Sequence, residues 1–133
     1  MNQVQGDFNN FFGNLNSFSG NKNLVNGSGN VGIGSFNAIS GSDNQLSGLS
    51  NIISGQSNMV AGSNNGVIGS SNAVKGSTNA LMGQNNLVIG DKNALLGNNN
   101  LLAGFENVIK GHANQAAGNQ NKLDGYQNSV KGS

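Results

Sequence analysis

Few residues in this 133-residue chain are suited to acid–base work near neutral pH or to holding a metal: one histidine, His112, and five carboxylates, Asp7, Asp43, Asp91, Glu106 and Asp124. An imidazole works as a base or ligand when a second group orients it, and His112 falls at a turn position with no such partner in its pattern. The carboxylates are scattered, mostly over turns, and form no calcium-loop spacing. Gly27-Ser28-Gly29-Asn30-Val31-Gly32 spells GxGxxG, but no helix follows it to hold a pyrophosphate. Asn26-Gly27-Ser28 is a glycosylation sequon, meaningful only behind a secretory signal. The chain has no cysteine, hence no disulfide, haem attachment or thiolate metal site, and its redox compartment stays open. Six lysines without arginine give a net charge of +1, which provides no basic stripe for nucleic acid. Lys75, Lys110, Lys122 and Lys131 read as outward, solubilising charges that limit side-to-side aggregation. These residues predict a non-catalytic protein without cofactor or bound metal.

What organises the chain is a repeat. Nineteen of the 22 glycines fall every seventh residue from Gly6 to Gly132, and three places after each of the first eighteen stands an asparagine, from Asn9 to Asn128. Five places after each of these glycines comes an apolar residue, with Gly32 the only break. A disordered Asn/Gly/Ser tract has no reason to keep such a row. A heptad coiled coil needs two apolar positions and good helix formers, and a glycine per heptad loses about 1 kcal/mol against alanine.

Counting each heptad from its glycine as place zero, places three, five and seven alternate, so in a strand the asparagine, the apolar residue and the next glycine share one face. Places one and two, with pairs such as Ser42-Asp43 and Ser63-Asn64, read as a two-residue turn after a five-residue strand. Two heptads close a coil. The expected fold is an all-β, two-sided parallel β-solenoid of about 14 residues per coil and about nine coils, a rod of roughly 40 Å at ~4.8 Å per coil. A three-sided coil of 21 residues ranks second, because it encloses more volume than one modest apolar residue per side can fill.

The glycine marks a position needing positive φ or close backbone approach. The asparagines form an inward ladder, whose central members are Asn37, Asn44, Asn51, Asn58, Asn65, Asn72, Asn79, Asn86, Asn93 and Asn100. Beside it run Val60, Val67, Val74, Leu81, Val88 and Leu95, meeting in the middle of the roll. Residues 1–19, with Phe8, Phe11, Phe12 and Phe18, form an atypical first coil or cap, and residues 20–133 the regular solenoid.

The repeat Gly-x-x-Asn-x-Val-x, as in 62–68, 69–75 and 83–89, resembles the xxNxVxG repeat of grass ice-recrystallisation-inhibition proteins, over residues 6–132. The resemblance implies a left-handed β-roll whose flat outer face binds ice; periodicity alone does not fix the hand. More distantly the frame is similar to trimeric autotransporter adhesin head repeats, in which small residues replace the asparagine. In the grass pattern Thr and Ser are frequent at place four, whereas here that place carries Leu, Ala, Met, Gln and others, and the single threonine, Thr78, sits in a turn.

The outward apolar residues fall in two bands. Ile52, Ile68, Ala80, Met82, Ala94 and Leu96 mark one face, and Met59, Leu87, Ile89, Leu101 and Ala103 the other. Contiguous exposed apolar surface marks an interaction site. The leading expectation is therefore a structural rod that self-associates into oligomers or end-to-end filaments. The alternative is an ice-binding protein, and a second alternative an adhesin or fibre segment. No stretch approaches the ~20 apolar residues of a membrane span, and no export signal is written in the chain, which makes it cytoplasmic by default and extracellular if a signal was removed.

Overall fold

The structure, a computed structural model, describes residues 1–132. Its strands form two parallel sheets. The ten-stranded sheet holds β1 (Gln3–Gln5), β3 (Ser17–Ser19), β5 (Val31–Ile33), β7 (Gln45–Leu49), β9 (Met59–Ser63), β11 (Ala73–Lys75), β13 (Leu87–Asp91), β15 (Leu101–Phe105), β17 (Gln115–Asn119) and β19 (Ser129–Lys131). The nine-stranded sheet holds β2 (Asn10–Phe12), β4 (Leu24–Asn26), β6 (Ala38–Ser42), β8 (Ile52–Gln56), β10 (Gly66–Ser70), β12 (Ala80–Gln84), β14 (Ala94–Asn98), β16 (Val108–His112) and β18 (Lys122–Tyr126). Each strand inside a sheet pairs with the strands two before and two after it at a constant offset of 14 residues, as in Ala38↔Ile52 and Ile52↔Gly66, and β1, β2, β18 and β19 form the sheet edges. This is the two-sided coil of two heptads, with no helix among the described residues.

The place-five row fills the space between the sheets. Phe18, Val25, Ile39, Leu46 and on through Leu123 are buried, and Phe11 and Val130 pack against that row. One buried residue per strand makes a narrow core, so the interior must be completed by the asparagines, which are buried continuously from Asn16 to Asn114.

The phase of the strands differs from the sequence reading by one residue. The regular strands run from place four through the glycine to place one of the next heptad, and the turn is formed by places two and three. Place one stays in the sheet because it pairs across coils, as Ser42 does with Gln56. The chain reverses at place two, where φ is positive: seventeen non-glycine residues there, Lys22, Phe36 and Ala113 among them, lie between +51° and +62°. Even this residue donates its N–H to the previous coil, as Asp43 does to the Ser28 carbonyl at 3.0 Å.

The repeated glycine is fixed by two constraints together. At Gly62 φ is +134°, and a Cβ would run into the carbonyl oxygen of Gly76 on the next coil. Gly32, the break in the apolar row, is a different case: its backbone is ordinary, and the ring of Phe18, one coil earlier in the same sheet, occupies the space a side chain would need.

Candidate functional surfaces

The asparagine ladder determines how regular the outer walls can be. Asn44 Oδ1 accepts two bonds from Asn58, one from its backbone N at 3.0 Å and one from its Nδ2 at 3.0 Å. The second Nδ2 proton of Asn58 goes to the Gly69 carbonyl at 2.8 Å, near the end of β10 and before the turn at Ser71 and Asn72. The same triple contact repeats at Asn72 and Asn86. No buried side-chain nitrogen or oxygen among the described residues lacks a partner. Since an unpaired buried polar group costs about 1–3 kcal/mol, a coil that slipped out of register would leave several groups unpaired. The outer residues are thereby held at a single spacing along the rod.

A second ladder runs along the turns, one that the sequence reading did not assign. Place-one side chains accept the backbone N–H of the residue one coil earlier: Ser35 Oγ from Asn21 at 3.0 Å, Asp91 Oδ1 from Ser77 at 2.6 Å and Asn98 Oδ1 from Gln84 at 2.8 Å. The signal for it was present in the many short Ser, Asn and Asp acceptors at that place.

The residues with latent chemistry are placed apart. His112 is exposed and stacks on Tyr126 with ring centroids 5.8 Å apart. Glu106 meets Lys92 at 3.5 Å in an exposed ion pair, of the kind that contributes little. Among the described residues no three His, Cys, Asp or Glu side chains gather as a metal site. Of the GxGxxG glycines, Gly27 belongs to the ladder row, Gly29 occupies a turn at φ +71°, and Gly32 yields space to Phe18.

What remains are the two outer walls, each made of the side chains at places four and six. Ile52, Ile68, Ala80, Met82, Ala94 and Leu96 stand together on the nine-stranded sheet, and Met59, Leu87, Ile89, Leu101 and Ala103 on the ten-stranded one. The larger of these side chains are exposed, Ile52 at 62% and Met59 at 55%. The nine-stranded wall has relief. Gly66, Ala80 and Ala94 form the floor of an apolar trough, edged by Ile68, Met82 and Leu96 along one side and by Ile52 and Val108 at its ends. Gly66, which the sequence reading did not single out, has open space above it. A second hollow on this wall lies over Ala38 and Ser40. On the ten-stranded wall a hollow lies at β1, β3 and β5, around Gly32.

No helix of the described residues is long and apolar enough to cross a membrane. A family model described as the grass antifreeze beta roll matches residues 1–76 and 47–133, so the two matches together span the chain. No curated protein matches the sequence.

Proposed function

Because this chain belongs to the grass antifreeze β-roll family, we propose that it binds ice through the outer wall of its ten-stranded sheet and so slows ice recrystallisation. The observation carrying this reading is the unbroken 14-residue register, which sets outward side chains in straight rows at one spacing. A crystal surface can be matched only by a surface that is itself periodic and rigid. Here rigidity comes from saturated ladders inside, so adsorption costs little ordering of the protein.

The ten-stranded wall is the better candidate because its hollow lies at its first strands, whereas the hollows of the other wall run from β2 to β16. Over β9 to β17 it presents Met59, Ala61, Ala73, Leu87, Ile89, Leu101, Ala103 and Ala117, apolar groups that order adjacent water without binding it tightly, interrupted by Lys75 and Gln115. Anchored molecules would force the ice front to bulge between them, and curvature raises the free energy of the front.

The test is retention of the chain in a slowly grown ice hemisphere together with grain growth in annealed ice. Wild type is expected in the ice fraction with grains kept small. Ala61→Tyr and Ala103→Tyr, which raise bulk above that wall, are expected to lose both effects, and Ala80→Tyr on the opposite wall to keep them. Exclusion of wild type from ice would end the reading. A second reading, contact between copies of the rod through an apolar wall, is favoured by the trough over Gly66, Ala80 and Ala94.

A further inference from the structure

We propose that the nine-stranded wall is a self-complementary interface, and that two copies pack face to face about a two-fold axis parallel to the rod. The inference rests on the second reading above and names the wall, the symmetry and the contacts.

An axis along the rod leaves each coil level with its counterpart and reverses strand direction, so place four of one copy faces place six of the other at every level. The wall is built for that exchange. Gly66 stands beside Ile68, Ala80 beside Met82, and Ala94 beside Leu96. On β4 and β8 the sizes reverse, with Leu24 beside Asn26 and Ile52 beside Ser54. In each of these five pairs one side chain is larger than the other, so under this axis they meet large to small and the Ile68, Met82 and Leu96 ridge enters the partner's trough; Val108 and Lys110 on β16, both large, are the exception. Facing sheets interdigitate in this way when bulk alternates. At β18 the pair is Lys122 and Asp124, both exposed, and the same axis sets each lysine opposite the other copy's carboxylate. Lys110, one strand away, is the register partner of Asp124 in the same column.

The opposite wall has such pairs too, as Met59 beside Ala61 and Leu101 beside Ala103, but not as an unbroken apolar run: Lys75 takes the large place on β11, and Leu87 beside Ile89 and Val31 beside Ile33 would be set large on large. The area is also adequate: five residues at about 3.3 Å and nine strands at about 4.8 Å make a face of roughly 600 Å². Both copies together bury about 1,200 Å², the lower bound for a specific interface. Such a dimer leaves two ten-stranded walls facing outward.

Sedimentation equilibrium of the full chain over a concentration series, with circular dichroism to verify folding, tests the proposal. Wild type is expected to dimerise reversibly. Ala80→Met fills the trough with a second thioether side chain, set against Met82 of the other copy, and should raise the dissociation constant about tenfold or more. Adding Met82→Ala exchanges the sizes and should bring it back to within about threefold of wild type. Lys122→Asp sets like charges together and should weaken the dimer about tenfold at low salt, while Ile89→Lys on the other wall should leave it unchanged. A folded wild type that stays monomeric, a size exchange that fails to restore association, or indifference to Lys122→Asp would each overturn the proposal. Ice retention is read on Ala61→Tyr and association on Ala80→Met, so either reading can fail alone.

Discussion

Phe18 and Gly32 are stacked neighbours in one row, and each explains the other. The ring of Phe18 is buried and tilts against Phe11 at 5.3 Å, and its far edge lies where a Gly32 side chain would be. Gly32 has no positive φ, so space alone selects glycine there. The two positions should therefore couple. Phe18→Val opens a cavity and is expected to cost about 2 kcal/mol, and Gly32→Val overpacks against the ring by a similar ~2 kcal/mol. The double variant sets valine over valine, as Val60 and Val74 already stand in the same sheet, and should recover most of both losses. Urea unfolding of the four chains measures the cycle; simple additivity would refute the pairing.

Between residue and element, the turn is where local preference and tertiary structure disagree. Place two needs a left-handed backbone, which costs about 1–2 kcal/mol for an ordinary L-residue, yet Lys22, Phe36, Glu106 and Ala113 adopt it. The gain is the cross-coil bond, such as Ala113 N–H to the Asn98 carbonyl at 3.1 Å. Ala113 is exposed, so glycine there removes strain without removing a contact. Ala113→Gly should raise stability by about 0.5–1 kcal/mol after glycine's greater unfolded-state freedom is deducted. That corresponds to about 2 °C in Tm, read by calorimetry, and a fall would mean the turn is not strained. The same conflict sets the limit of what the sequence disclosed. Inward rows were legible because Asn and Gly recur in every heptad and an apolar residue fills place five in all but one, and the assignment of outward residues to two walls followed from strand alternation. The strand phase was not legible, because place one looks like turn chemistry while its backbone belongs to the sheet and its Ser and Asn side chains serve the ladder outside. The trough was missed for a related reason. Gly66 lies off the seven-residue series, and its effect depends on Ala80 and Ala94, 14 and 28 positions on, which only coil stacking brings beside it.

At the scale of the whole rod, every strand makes backbone contacts only with the strands two positions away in sequence. Stability in such a stack is a sum of neighbour terms, unlike the all-or-none core of a globular domain. A lesion should therefore stay local. Gly62→Val supplies the strongest one available, because no β-branched residue fits φ +134° and its Cβ would strike the Gly76 carbonyl. The backbone would have to move away, and with it the Gly62 carbonyl that Asn51 Nδ2 holds at 2.9 Å. Hydrogen exchange by mass spectrometry should then show protection lost over β7, β9 and β11 and the strands facing them. Protection should persist at β15 to β17, whose ladder contacts lie entirely on later coils. Uniform loss along the chain would indicate that the asparagine ladder couples all coils into one cooperative unit. The outer walls depend on which of these holds, since a surface that matches a crystal over many coils tolerates a local defect only if the remaining rows keep their spacing.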